Sequence, residues 1–417
     1  MKRNRTILTV IVIILVTNLV TYSLATGAIP WIGYYWGVGL AGTGELSRLT
    51  NQYRLILTKY IDEVDPAALV EGALAGMADA LGDPYTYYMD PREYEDFDIS
   101  LTGEYVGVGM VVEKIGDYVC VVSPMRGSPA ERAGLRARDR IVGVDGRNVV
   151  GLSSDIVAGL IRGKEGTPVT LTIARGTPGE TEETFDVTLV RERIIITSAF
   201  GDMLYPAEGL GYIQITEFSA KTPEQFGAAL ADLKSKGLRA LVLDLRNNGG
   251  GLLQECITIA RLFVAEGTIV QRVGRGGRVA VVSGTGSAAV DVPLVVLINE
   301  GTASAAEILA GAIKDNGVGI LVGVTTFGKG SIQTPYELGG GSVLRLTTEK
   351  WLTPEGEHIS GQGIEPHVRL ALPEVDGEGR PIDWDGFTWS DPEDPRDTQL
   401  RYAVDILRQA LEQENGG

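Results

Sequence analysis

The sequence predicts a multidomain protein of mixed α+β and α/β class, and three observations carry that prediction. At 417 residues the chain has room for two to three domains of about 150 residues each. From Gly209 onward, short β-branched runs alternate with glycine turns and helical stretches, the texture of an α/β core. Residues 103–192 instead alternate short strands with turns around a single helix. The 55 glycines fit a chain with many tight turns and close backbone approaches.

The N-terminus sets the expected compartment. Lys2, Arg3 and Arg5 precede a mostly apolar run over residues 7–25, close to the ~20 residues that span a bilayer. Trp31, Tyr34, Tyr35 and Trp36 suit a membrane–water interface. The expectation is a single-pass membrane anchor with Met1 inside and the body outside the cytoplasm. A removed secretory signal is the rival, with Ser23-Leu24-Ala25 as its weak cleavage pattern and a secreted or periplasmic product.

Beyond the anchor, Leu46, Leu49, Tyr53, Ile56 and Leu57 recur at helical spacing, followed by Leu69, Ala73, Met77 and Leu81. Gly82-Asp83-Pro84 reads as the stop of that second helix. Strands are expected over 105–112, 118–122, 140–144, 169–174 and 185–190, with a helix over 154–161. The last large region holds strands over 210–215, 240–245, 294–298 and 320–322, separated by helices over 224–233, 252–263 and 303–313. An acidic, Pro- and Gly-containing segment over 374–396 reads as a solvated loop before an amphipathic helix over 398–411.

Composition excludes several chemistries. With 37 Lys+Arg against 54 Asp+Glu the net charge is −17, and no basic stripe exists to bind nucleic acid phosphates. Cys120 and Cys256 are the only cysteines, so there is no disulfide framework and no CxxC metal pattern. His358 and His367 are the only histidines. Any zinc site or Ser-His-Asp triad would have to be built on one of those two, and no metal or cofactor is expected.

In the β-rich region, Gly107-Val108-Gly109-Met110 can present successive N–H groups as a nest for an anion such as a peptide carboxylate. The strand over 105–112 beside the helix over 154–161 would form a groove for one more strand, with Arg162 just past the helix end. Alone, the two glycines are equally compatible with a bulge. Gly127-Ser128-Pro129-Ala130 and Arg140-Ile141-Val142-Gly143-Val144-Asp145-Gly146 follow in an order that resembles a PDZ domain.

Ser304 stands where the apolar run 294–298 passes into a helix, a place where helical N–H groups and the positive dipole end converge. An oxyanion formed there would meet donors already in position. The same serine also suits a plain helix N-cap. For a base, His358 lies in a polar Glu-Gly-Glu-His loop with no carboxylate placed to orient it. Lys329 sits in an otherwise uncharged Gly328-Lys329-Gly330 stretch, where burial would favour the neutral amine, although a surface hairpin lysine fits too. In an extended segment Lys329, Ser331 and Gln333 share a face. Asn247-Asn248-Gly249-Gly250-Gly251, after the strand 240–245, supplies further backbone donors. It lacks the Lys-Ser or Lys-Thr of a phosphate cradle. Asp244 and Arg246 read as turn and ion-pair residues.

Taken in order, several blocks resemble the C-terminal processing peptidases, or tail-specific proteases. They are Glu71-Gly72-Ala73-Leu74-Ala75-Gly76-Met77, Asp83-Pro84-Tyr85-Thr86-Tyr87-Tyr88, the PDZ-like segment, Asp244 to Gly251, Gly301 to Ala305, Phe327 to Gln333 and Ile359 to Pro366. The resemblance implies Ser304 as nucleophile, Lys329 as general base and Gln333 as the residue that orients it. It also implies backbone oxyanion donors at Ala305, Gly250 and Gly251, and a crotonase/ClpP-like α/β protease core with an inserted PDZ-like domain. Gly107, Val108, Gly109, Met110 and Arg162 would bind the substrate tail, and the partners would be proteins or peptides with free C-termini. Gly249 departs from the pattern, because many relatives have proline there.

The expected organisation is an anchor or signal in 1–40, a helical region in 41–101 and a PDZ-like domain in 102–192. A protease core over 193–372 and an acidic loop with a terminal helix over 373–417 complete it. Homo-oligomerisation is left open. Two other classes compete: a non-catalytic PDZ scaffold, and a crotonase-like acyl-CoA enzyme, which would need neither an export signal nor a peptide-binding domain.

Overall fold

The computed structural model describes residues 43–177, 182–376, 378–383, 387 and 389–416. The expected membrane segment, residues 1–40, lies outside them. Among the described residues no helix is long and apolar enough to cross a membrane. The chain divides into two compact units, Met1–Ala80 and Leu81–Gly417. In the first, helix α1 (Thr43–Lys59) is followed by α2 (Pro66–Asp79). The Asp65 side chain caps α2 by accepting from the Ala67 N–H, and Pro66 takes the first helical position.

The second unit opens with strand β1 (Tyr87–Met89) and helix α3 (Pro91–Thr102), the latter set by an Asp90/Glu93 capping box. A β-rich domain follows: β2 (Glu104–Gly107), β3 (Met110–Ile115), β4 (Tyr118–Pro124), α4 (Pro129–Arg132), β5 (Arg140–Val144), β6 (Arg147–Asn148), α5 (Ser154–Ile161), β7 (Pro168–Arg175), β8 (Glu183–Val190) and β9 (Glu192–Ile195). Strands β3-β4-β5-β7-β8 form one sheet, with β6 paired to β5, while β2 and β9 form a separate antiparallel ribbon. Val119, Val121, Ile141, Val157, Ile161, Leu171 and Ile173 share its core. The strand expected over 105–112 is broken in two. Gly109 has φ +72°, and a Cβ there would lie 2.4 Å from Ser128 Cβ. The Gly109 carbonyl turns inward to accept from Ser128 Oγ and the Met125 N–H.

The remaining elements are β10 (Ala199–Tyr205), β11 (Leu210–Ile215), α6 (Thr222–Ser235), β12 (Ala240–Asp244), α7 (Leu253–Phe263), β13 (Thr268–Gly274), β14 (Val279–Ser283), β15 (Leu294–Ile298), α8 (Ala305–Asp315), β16 (Ile320–Gly323), β17 (Ser331–Gly339), β18 (Ser342–Leu352), β19 (Val368–Arg369) and α9 (Thr398–Gly416). The central sheet runs β10-β11-β12-β15-β16-β19, parallel from β11 onward. Ile213, Leu243 and Val296 pack on one face against α6, α7 and α8. Tyr212, Val242 and Val295 pack on the other against Leu400, Ala403, Val404 and Leu407 of α9. With both faces covered, these strands read as unbroken apolar runs, which is why they were legible in sequence. A second, antiparallel sheet, β1-β18-β13-β14 with β17 on β18, was not anticipated. Its strands are more exposed than those of the central sheet and lack the unbroken apolar runs that mark the latter.

The acidic segment is not simply a solvated loop. Asp397, the residue that follows it, is fully buried, as are Asp244 and Arg246. Arg246 pairs bidentately with Asp244 and with Asp397, and its guanidinium lies 4.3 Å from the Trp389 ring centroid. The ion-pair role expected of Asp244 and Arg246 is therefore the one they have.

Candidate active site

Parallel neighbours end at the same edge of a sheet, so the loops after β12, β15 and β16 emerge side by side. They carry the Asn247–Gly251 turn, the Asn299–Ser304 turn and the 324–330 loop. Cross-bonds tie them together. Asn299 Nδ2 donates to Asn247 Oδ1 at 2.9 Å and the Ala303 N–H to the Asn248 carbonyl at 2.8 Å. Thr302 Oγ1 donates to the Leu245 carbonyl at 2.8 Å, and the Phe327 N–H to the Thr302 carbonyl at 3.0 Å.

Ser304 stands at the N-cap of α8 with φ +55°, a conformation that non-glycine residues rarely adopt. It is held there by the turn bonds around it. Gly250 makes the closest approach: a Cβ on it would lie 2.8 Å from Ser304 Cβ and 3.0 Å from the Ala305 nitrogen. Gly251 is equally committed, since a Cβ would meet the Phe218 carbonyl oxygen at 2.3 Å.

The expected oxyanion set needs one correction. The Gly250 N–H already donates to Asn248 Oδ1 at 2.9 Å, because Asn248 closes a side-chain turn over it. The Ala305 N–H, at the first helical position, has no intrahelical acceptor. Among the described residues the Gly251 N–H has no acceptor either.

A cleft of about 380 Å³ joins these groups to Lys329, Ser331, Gln333 and Arg345. Lys329 lies on the loop just before β17, and its carbonyl accepts from Trp351 Nε1 at 3.0 Å. Its ammonium sits over the Tyr85 ring, 4.6 Å from the centroid. Burial and the neighbouring positive charge of Arg345 pull its pKa down to about 8, against the opposing pull of Asp83 and Glu307. Arg345 itself has only neutral hydrogen-bond partners among the described residues, Tyr87 Oη at 2.9 Å and Gln333 Oε1 at 3.5 Å.

Gln333, expected to orient Lys329, makes no direct hydrogen bond to it among the described residues. It pairs across the strands with Thr347, and its amide nitrogen donates to Thr347 Oγ1 and Ser331 Oγ instead. His358 is exposed in the turn after β18 and does not line the cleft.

Three residues around Lys329 have no role in the sequence-based expectation. Tyr85 and Arg345 carry no local signal, because they arrive from distant segments. Glu307 did carry one: three residues after Ser304, it completes a Ser-x-x-Glu capping pattern.

In the β-rich domain a separate cavity of about 130 Å³ is lined by Tyr105, Gly107, Val108, Gly109, Met110 and the Ala158–Arg162 end of α5, among others. The five expected tail-binding residues therefore share one pocket. Arg162 there pairs with Asp96 of α3, and its guanidinium lies 5.7 Å from the Tyr105 ring centroid.

Fold and cleft thus describe a class: a mixed α/β core whose cleft brings together a serine and a lysine, carrying a β-rich domain with a pocket of its own. The family model described as Peptidase family S41 matches residues 209–370, and a PDZ domain model matches 120–175. A model described as Activating protease CtpB N-terminal domain matches 39–93. The carboxy-terminal processing protease CtpA of Bacillus subtilis is 39% identical over 334 residues, covering 80% of this chain and 70% of that protein. A probable CtpA-like serine protease of Staphylococcus aureus is 37% identical over 360 residues, covering 84% and 71%. The photosystem II D1 C-terminal processing protease superposes with TM-score 0.47 at 33% identity, over 81% of this chain and 96% of that one. The chain belongs to peptidase family S41, as a serine-type C-terminal processing peptidase with a PDZ domain.

Proposed function

We propose that the enzyme cleaves exported proteins near their C-termini by a Ser304–Lys329 dyad, after the PDZ domain has captured the free tail. One observation carries the catalytic part: Ser304 and Lys329 line the same cleft, and among the described residues the Lys329 ammonium has no carboxylate in hydrogen-bond contact. Neutral Lys329 takes the Ser304 hydroxyl proton as Oγ attacks the scissile carbonyl. The Ala305 and Gly251 N–H groups receive the developing oxyanion. The lysine ammonium then gives its proton to the leaving amine, and a water activated by the same amine hydrolyses the acyl-enzyme. Gln333 acts at one remove, by holding Ser331 and facing Arg345. The crotonase/ClpP-like reading of the core and an N-terminal anchor in 1–40, which would place the catalytic domain outside the cytoplasm, belong to this proposal. The apolar run at residues 7–25 supports the latter.

Ser304→Ala and Lys329→Ala are each expected to lower peptide hydrolysis by roughly 10⁴-fold or more with the fold retained. If Lys329→Ala keeps most of its kcat while His358→Ala loses it, the dyad is wrong. For the tail-reading part, kcat/KM is compared on one peptide with a free and an amidated C-terminus. Amidation removes a charge-assisted contact of ~1.5–3 kcal/mol, a loss of roughly tenfold to hundredfold. Equal values would leave the PDZ domain without that role.

A further inference from the structure

We infer that Glu307 is a positioning residue that holds nucleophile and base in one frame, an inference that rests on the Ser304–Lys329 reading. Its side chain is fully buried. One carboxylate oxygen, Oε2, accepts from both the Ser304 N–H and the Lys329 N–H, each at 2.8 Å. The other, Oε1, accepts from the Gly328 N–H at 2.7 Å and from Thr326 Oγ1 at 2.5 Å. All four partners are donors, so the group acts only as an acceptor, as a carboxylate does. Thr326 Oγ1 in turn accepts from the Ile364 N–H at 2.7 Å, which anchors the clamp to a third segment.

A capping glutamate ordinarily serves its own helix. Here a single oxygen spans two loops whose only covalent link is α8 and β16. The arrangement fixes the spacing between the two backbones from which the reacting side chains project. A misplacement of about 1 Å at such a pair is worth roughly a hundredfold in rate.

The charge matters as well as the reach. Lys329 is faced by Arg345 from β18, by Asp83 and Tyr85 from the segment before β1, and by Glu307 from α8. Of these, Glu307 and Asp83 favour the ammonium and Arg345 disfavours it. Removing the Glu307 charge therefore eases deprotonation of Lys329 while loosening its position.

Glu307→Gln keeps the shape but presents an amide N–H₂ where an acceptor is needed. The expected result is a kcat lower by roughly a hundredfold, with KM changed little. The acid limb of the kcat/KM profile should move to lower pH by roughly half a unit or more. A purely structural role would lower the melting temperature and leave kcat of the folded enzyme near that of wild type. Thr326→Val removes one donor to the carboxylate without altering either reacting residue, and should lower kcat by roughly fivefold to tenfold. It carries the test if Glu307→Gln fails to fold. A folded Glu307→Gln or Thr326→Val enzyme with wild-type kcat overturns the inference. So does a Glu307→Gln enzyme whose pH limb is unmoved. If Lys329→Ala is inactive under the same assay while either variant is fully active, this inference fails and the dyad stands.

Discussion

Two buried cations sit in this protease core under opposite regimes. Arg246 has no solvent exposure, and two carboxylates grip it from either side. Burial opposes its charge, but Asp244 and Asp397 overcome that opposition and hold it protonated. Lys329 is half-buried above an aromatic ring, with a second cation beside it and, among the described residues, no carboxylate in hydrogen-bond contact. Its ammonium is correspondingly easy to deprotonate. A fully partnered buried cation is architecture, whereas one left without a partner is available for proton transfer.

The comparison can be broken by removing each charge in turn. Arg246→Met leaves two buried carboxylates unpaired and should destabilise the fold by about 3–5 kcal/mol. Differential scanning calorimetry would show this as a lowered Tm, and an unchanged Tm would contradict the architectural role. Lys329→Met should do the reverse. The folded pKa of about 8 lies below the ordinary value of 10.5. The unfolded chain therefore binds the proton more tightly, and the folded state is penalised at pH values below about 8. That penalty fades as pH rises towards 10.5. The variant should be more stable than wild type at pH 7 by roughly 1–2 kcal/mol, a figure discounted for the half-buried side chain. The advantage should vanish above about pH 10.5. Parallel urea titrations at pH 7 and pH 10.5 test both halves, and a destabilised Lys329→Met at pH 7 would erase the contrast.

The smallest effect sharpens the contrast from outside. Arg345→Gln removes the like charge that helps to deprotonate Lys329, so the acid limb of kcat/KM should rise by roughly half a unit to one unit. A limb that stays in place would mean that burial alone sets the lysine. The shift is opposite in sign to that expected for Glu307→Gln, so the pair of profiles tests the electrostatic picture twice.

The parallel sheet was legible because strands buried on both faces show as apolar runs between glycine turns, and Leu294–Ile298 was recovered with its bounds intact. Helix α5 was recovered over Ser154–Ile161 for a similar reason, an apolar face at helical spacing. Ser304 and Lys329 could be singled out because each sits in a short, chemically odd stretch. Their surroundings could not be read in the same way. Tyr85 reaches Lys329, and Tyr87 reaches Arg345, through pairing of β1 with β18, strands separated by most of the chain. The partners of Gln333 have the same origin, since Thr347 faces it from the neighbouring strand. The Gly250 error was local, since the Asn248 side chain competes for the very N–H that was assigned to the oxyanion.

The pairing of Arg246 with Asp397 also bears on the order of events during synthesis. The two residues are 151 positions apart in the chain. At ~5–20 residues added per second, the arginine waits roughly 8–30 s for its second carboxylate. The α9 face that seals the far side of the central sheet arrives later still. A growing chain that already contains Ser304 and Lys329 therefore still has one face of its central sheet uncovered. Closure of that face by α9, and with it the buried Arg246–Asp397 pair, follows the synthesis of both reacting residues.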